Sequence, residues 1–190
     1  MAVDTKLLTQ LRQLTGAGVV DCQAALQEAN SDLDKAIEIL RKKGAIKAAK
    51  KAATRTAGEG IIESYIHNNG KVGVLVKLLA ETDFVARNQE FKELAHDLAL
   101  QIAATNPSYL RPEDIPKKEI YRAQLKNEGK PKAAWDKIIA GKLAKYYQQV
   151  CLLQQPFIKD DKLTIEQLIA QKIAKIGEKI EVAEFTRYQI

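Results

Sequence analysis

Cysteine is scarce in this 190-residue chain: Cys22 and Cys151 stand alone, with no CxxC pair and no metal-ligand spacing. That excludes a disulfide scaffold and a thiolate-held metal, and it fits a reducing compartment. Histidine is equally sparse. His67 sits at a predicted turn and reads as a solvated turn residue. His96 lies off the apolar stripe of its helix and should face water or a partner. Neither has a nearby histidine, cysteine or acidic cluster, so no metal ligand is expected. There is no GxxxxGK(S/T) and no GxGxxG between a strand and a helix, hence no phosphate-cradling loop and no direct nucleotide binding. GxSxG, HExxH and EF-hand patterns are missing too, so an enzyme is not expected, nor a resident cofactor. The longest apolar run, Val72 to Ala80, is broken by Lys77 and is too short to span a bilayer. The opening Met-Ala-Val-Asp-Thr-Lys has no basic region followed by an apolar stretch, so no secretory leader is predicted.

Hydrophobic residues, by contrast, make up 46% of the chain, enough for a packed core. The formal charge is +6, but it is concentrated. Residues 41–55 hold Arg41, Lys42, Lys43, Lys47, Lys50, Lys51 and Arg55 and no acid. Removing those seven from the 30 lysines and arginines leaves 23, against 24 acidic residues. The basicity belongs to one segment, not to a broad nucleic-acid-binding face.

Three short helices are predicted over the first 44 residues. Leu7, Leu8, Leu11 and Leu14 repeat at helical spacing and stop at Thr15-Gly16-Ala17-Gly18. Cys22, Leu26 and Ala29 mark a second stripe, ended by Asn30. Ser31 or Asp32 caps a third helix with Leu33, Ala36, Ile37 and Leu40 inward and Gly44 past its end. Residues 45–57 carry little apolar bulk and read as a solvated, partly helical basic tether.

Residues 58–190 form the second region. Segments 59–67 and 71–80 predict a β-hairpin, with Asn69-Gly70 suited to a type I′ turn. Val72, Val74, Val76 and Leu78 line one face, while Leu75 and Leu79 make the other face apolar as well. A sheet covered on both sides is expected. A helix follows from about Asn88 to Thr105, ended by Asn106-Pro107. Two more helices flank Asn127-Glu128-Gly129-Lys130-Pro131, an antiparallel hairpin over about 115–150, with Ile120 and Leu125 facing Ile138, Ile139 and Leu143 and Trp135 read as core. Thr164 and Gln167 have capping-box spacing ahead of another helix. A third strand spans about Lys179 to Tyr188. The fold class is α+β.

Two features stand out. Val20 points away from the buried stripe of its helix, and Val19 lies at that stripe's edge, beside a glycine turn. Such a pair hints at a docking surface. Thr82-Asp83-Phe84-Val85 joins the best strand to the best helix. Thr82 can cap the turn, Asp83 brings a carboxylate and Phe84 a large ring. On physics alone, packing of Phe84 under the sheet is the favoured role.

The pattern over nearly the whole chain resembles the elongation factor Ts family. Leu14-Thr15-Gly16-Ala17-Gly18-Val19-Val20-Asp21-Cys22 is similar to its N-terminal signature, where methionines are common in place of Val19 and Val20. Thr82-Asp83-Phe84-Val85-Ala86-Arg87-Asn88 resembles its core motif, and Gln155-Pro156-Phe157-Ile158 follows the hairpin as in the family. The resemblance implies a ubiquitin-associated-type three-helix bundle, a tether, and a core with a three-stranded antiparallel sheet and a protruding helical hairpin. It implies a guanine-nucleotide exchange factor that binds GDP-bound elongation factor Tu and promotes replacement of GDP by GTP. Thr82, Asp83, Phe84 and Val85 would dislodge Mg²⁺ from the GTPase, and Arg12, Val19 and Val20 would touch it. Valine is shorter and stiffer than methionine, so that contact would pack differently.

Faster release by about 10⁴-fold needs about 5.5 kcal/mol of differential binding. Burying one phenylalanine yields about 1.5–3 kcal/mol. Phe84 therefore needs docking elsewhere on the chain. Long members of the family carry a duplicated core; this chain has one. A lone sheet with two apolar faces implies a homodimer, two copies of factor with two of the GTPase. A cytoplasmic location is expected, or a plastid stroma if the chain is organelle-encoded. Two other readings remain: an RNA-binding module using residues 41–55, and a ubiquitin-associated-type scaffold that leaves the Thr82 motif without a use.

Overall fold

A computed structural model describes residues 4–115 and 132–190. Three helices open the chain, each bounded by a local device. α1 (Thr5–Thr15) starts at Asp4, whose carboxylate accepts from the Lys6 N–H at 2.8 Å, and ends at Gly16 with φ 65°. That left-handed cap is the position glycine suits. α2 (Val19–Glu28) gives way to Asn30 and Ser31, at φ 51° and 65°. α3 (Leu33–Thr54) starts at Asp32, which accepts from the Lys35 N–H at 3.1 Å. Leu11, Cys22, Ala25, Leu26, Ala29, Ala36 and Leu40 form the buried core of this bundle, as the apolar spacing predicts.

Two details depart from expectation. Leu14, although in register with Leu7 and Leu11, is 61% exposed. The third helix does not end at Gly44. It runs on to Thr54, with Gly44 buried inside it. A Cβ placed on Gly44 would meet the Ala174 methyl at 3.6 Å, so a close-packed neighbour, not a cap, occupies that surface.

β1 (Glu59–His67), β2 (Val72–Ala80) and β5 (Ile180–Gln189) form the antiparallel sheet, in the order β1-β2-β5. Val74, Val76 and Leu78 of the central strand are buried. Among the described residues the opposite face is left open in part: Ile62, Ile66 and Leu75 are exposed, against the expectation of two covered faces. The hairpin turn also differs from the type I′ expected at Asn69-Gly70. Positive φ falls on Asn68 (27°) and Gly70 (74°), and the Gly70 N–H donates to the His67 carbonyl at 2.9 Å. The loop thus has four residues and turns one position earlier.

α4 (Asp83–Arg87) and α5 (Gln89–Thr105) follow the sheet. Phe91, Leu94, Ala95, Leu98 and Ile102 make the buried stripe of α5, and Asn106, at φ 49°, closes it ahead of Pro107. α6 (Lys132–Val150) is the second arm of the expected helical hairpin. The first arm with Ile120 and Leu125, the turn around Gly129, and the side chains of Trp135, Ile138 and Ile139 lie outside the described residues. β3 (Pro156–Phe157) pairs antiparallel with β4 (Asp160–Thr164), a small hairpin the sequence did not announce. α7 (Ile165–Ile176) leads into β5.

The chain divides into two compact units. Residues 1–62, 77–95 and 167–183 make the first, which holds the bundle, α4 and most of α7. Within it the Lys175 stem lies against Gly16, where a Cβ would come within 2.9 Å of it, and its ammonium pairs with Glu90. Residues 63–76, 96–166 and 184–190 make the second. Its buried polar knot joins α5 to the Gln155–Ile158 segment. Gln101 donates to the Gln155 side chain and to the Pro156 carbonyl, both at 3.2 Å, and accepts from the Ile158 N–H at 2.9 Å. Thr105 donates to Gln155 at 2.7 Å.

Candidate functional site

Thr82 ends the sheet connection and caps α4, its hydroxyl accepting from the Val85 N–H at 3.4 Å. Val85 and Ala86 turn inward, at 9% and 5% exposure. Phe84, between Asp83 and Val85, is turned out and is 83% exposed. The packing role that physics alone favours for this ring is therefore not what the fold provides, and the exposed position is the one the family resemblance implies. Asp83 pairs with Arg87 at 3.0 Å, one helical turn on. The result is a five-residue helix displaying an aromatic ring beside a carboxylate.

The tip is held from behind by charged groups of the same unit. The Thr82 hydroxyl donates to Glu178 Oε1 at 2.8 Å, and the Thr82 N–H donates to Glu178 Oε2 at 3.0 Å. In the reverse sense, the Lys179 N–H donates to Glu81. Arg55 Nη1 donates to both Glu81 oxygens, at 3.1 and 3.2 Å. The Gly177 carbonyl accepts from Lys51 Nζ at 2.6 Å and from Arg55 at 3.4 Å. The Lys179 N–H and the Arg55 guanidinium hold the Glu81 carboxyl below its ordinary pKa. Partial burial and the neighbouring Arg55 charge push the Lys51 ammonium down.

Arg12, Val19 and Val20 lie on the bundle of this unit. Val20 is 79% exposed and Val19 44%, and Arg12 lies exposed in the last turn of α1. Between them runs a fixed turn. Thr15 Oγ1 donates to the Leu11 carbonyl at 2.7 Å, the Ala17 N–H donates to Thr15 Oγ1 at 3.3 Å, and Cys22 Sγ donates to the Ala17 carbonyl at 3.6 Å. Leu14, exposed at the end of α1, adds an apolar residue that helical spacing had assigned to the core. Nothing in its local pattern marks Glu178, and the sequence shows Arg55 only as one cation of the 41–55 segment, because the partners of both lie far away in sequence.

The basic stretch 41–55 is largely committed within the chain. Lys43 pairs with Glu28 at 2.8 Å, Lys47 with Asp21 at 2.9 Å, and Lys51 and Arg55 serve the network above. His67 is exposed at the end of β1 and hydrogen-bonds Tyr65 at 2.9 Å; His96, half exposed, pairs with Glu63 at 3.1 Å. Both cysteines are buried. Among the described residues no group of three or more His, Cys, Asp or Glu side chains could hold a metal ion, and no helix is long and apolar enough to cross a membrane.

These features define an α+β protein with exposed apolar side chains on a helical bundle, on a capped tip and on one face of the sheet. The family model described as Elongation factor TS matches residues 7–190. The chain is 50% identical over 194 residues to the elongation factor Ts of Carboxydothermus hydrogenoformans, covering 99% of this chain and 89% of that one. It is 53% identical to that of Moorella thermoacetica, covering 100% and 94%, and 53% identical to that of Thermotoga maritima, covering 100% and 97%. The chain belongs to the elongation factor Ts family, one of the families of translation elongation factors.

Proposed function

We propose that this chain is a guanine-nucleotide exchange factor for elongation factor Tu, not a catalyst of bond chemistry, and that it acts in the cytoplasm or a plastid stroma. The observation that carries the reading is the 83% exposure of Phe84 on a helix whose neighbours Val85 and Ala86 are buried. A ring of that size gains about 1.5–3 kcal/mol when buried, so its display is accounted for by a partner that covers it. In this reading Arg12, Val19 and Val20 of the bundle (residues 1–44) dock on the GDP-bound GTPase. The link 45–57, helical as far as Thr54, joins them to the core 58–190. Thr82, Asp83, Phe84 and Val85 then distort the Mg²⁺ and phosphate region. Linkage requires GDP to weaken factor binding by the same factor as the factor weakens GDP binding.

The test separates docking from triggering. Phe84→Ala is expected to form the complex yet release GDP more slowly at saturating factor in stopped flow; a wild-type rate would remove the tip from the mechanism. Val20→Asp is expected to weaken affinity in calorimetric titration more than it changes the maximal release rate. The open outer face of β1 and β2, with Ile62, Ile66 and Leu75, supports a homodimer and a two-plus-two complex with the GTPase.

A further inference from the structure

We propose that Glu178 is the positioning residue of the tip: its carboxylate fixes the orientation in which Thr82 presents Phe84. The proposal rests on the exchange reading above. α4 has only five residues, and a single helical turn is not stable by itself. Its direction is set by what holds its N-cap residue, Thr82. Both oxygens of Glu178 are spent on that one residue, Oε1 on the hydroxyl at 2.8 Å and Oε2 on the N–H at 3.0 Å. Two bonds to a planar group fix rotation as well as distance. The hydroxyl has one proton. With it committed to Glu178, a lone pair remains to accept from the Val85 N–H, which is the capping bond of α4.

Glu178 is itself held in place. Glu81 accepts the Lys179 N–H while Glu178 accepts the Thr82 N–H, so adjacent residues on two chain segments exchange carboxylate–amide bonds. The Gly177 carbonyl accepts from Lys51 and Arg55, and Arg55 also grips Glu81. Phe84 makes no part of this clasp; it is carried by it. A ring presented in one orientation loses less freedom on meeting a partner than one on a loose turn. Because the tip is engaged while the partner's site is being distorted, looseness should appear in the maximal release rate and not in docking.

The test uses the full chain with Glu178→Ala and Glu178→Gln, each assayed beside the wild type for GDP release from the GDP-bound GTPase over a range of factor concentrations. Amide exchange of Val85 and Ala86 is followed by NMR in the free protein. Glu178→Ala is expected to lower the maximal release rate about tenfold with the half-saturating concentration within about twofold. Its Val85 amide should exchange about tenfold faster. Glu178→Gln, which keeps the size and one acceptor, is expected to fall between Ala and wild type and covers the case in which Ala does not fold. A Glu178→Ala protein with the wild-type maximal rate, or with a defect confined to half-saturation, overturns the proposal. A wild-type chain that releases no GDP overturns the exchange reading instead, and the Val85 amide still reports on the clasp.

Discussion

Cys151 is fully buried, and its thiol is pushed up to about 11, by burial first and then by the carboxylates of Asp114 and Glu113. Burial likewise raises Cys22. The thiolate is the reactive form, so both thiols are expected to resist a disulfide reagent at about pH 8 and to react fully once the chain is unfolded. Rapid reaction of either thiol in the native protein would contradict this. From sequence, Cys22 is legible as core because it sits on a helical stripe. Cys151 is not, since it lies at the end of a helix and its burial depends on distant segments. Gly60 is a second case. A Cβ there would come within 2.1 Å of the Leu78 carbonyl oxygen and 2.9 Å of Leu79 Cα, on the neighbouring strand. Gly60→Ala is expected to destabilise the protein by about 1–3 kcal/mol in urea unfolding, because backbone, not a flexible side chain, has to move.

Elements with a sustained apolar period were legible, and those without one were not. α1, α2, α5 and β2 each repeat apolar residues over several turns or alternations, and each was found near its expected bounds. β3 has two residues, too few for any alternation to register. The end of α3 was misplaced because glycine after a leucine stripe looks like a cap. The two roles predict opposite signs for Gly44→Ala. In a left-handed cap the substitution is strained; in a helix interior with 3.6 Å to the nearest methyl it should stabilise by about 0.5–1 kcal/mol. Thermal unfolding decides between them. The Gln155-Pro156 stretch also gains a physical role at this scale, as the acceptor side of the buried Gln101 knot. Gln101→Leu leaves the Ile158 N–H unpartnered and is expected to cost about 1–3 kcal/mol, read as a lower urea midpoint.

For the molecule as a whole, acid should loosen the unit that carries the tip. The pKa of Glu81 is depressed by the Lys179 N–H and by Arg55, and that of Glu90 by its bond to Lys175. A depressed carboxylate stabilises the fold above its unfolded pKa, about 4.3, and that contribution disappears as pH falls through the lower folded value. Stability should therefore decline below about pH 4.3, and the Glu81→Gln, Glu90→Gln double variant should decline less steeply there while being weaker near neutrality. Equal acid slopes in urea titrations would rule this out. The proposed self-association belongs to the same scale. Ile62→Lys with Leu75→Lys places charge on the open strand face, and sedimentation at micromolar concentration should then find monomers where the parent chain dimerises.

The sequence by itself determined the α+β class, the bundle, the central strand and the family, because each is written in local periodicity or in contiguous motifs. It located Thr82 to Val85 and Val20 as points of interest. Only the tertiary structure decided that Phe84 faces outward, that Leu14 does too, and that Glu178 and Arg55 stand behind the tip. Those outcomes depend on which distant groups meet, and side-chain spacing along one segment carries no information about residues that arrive from another.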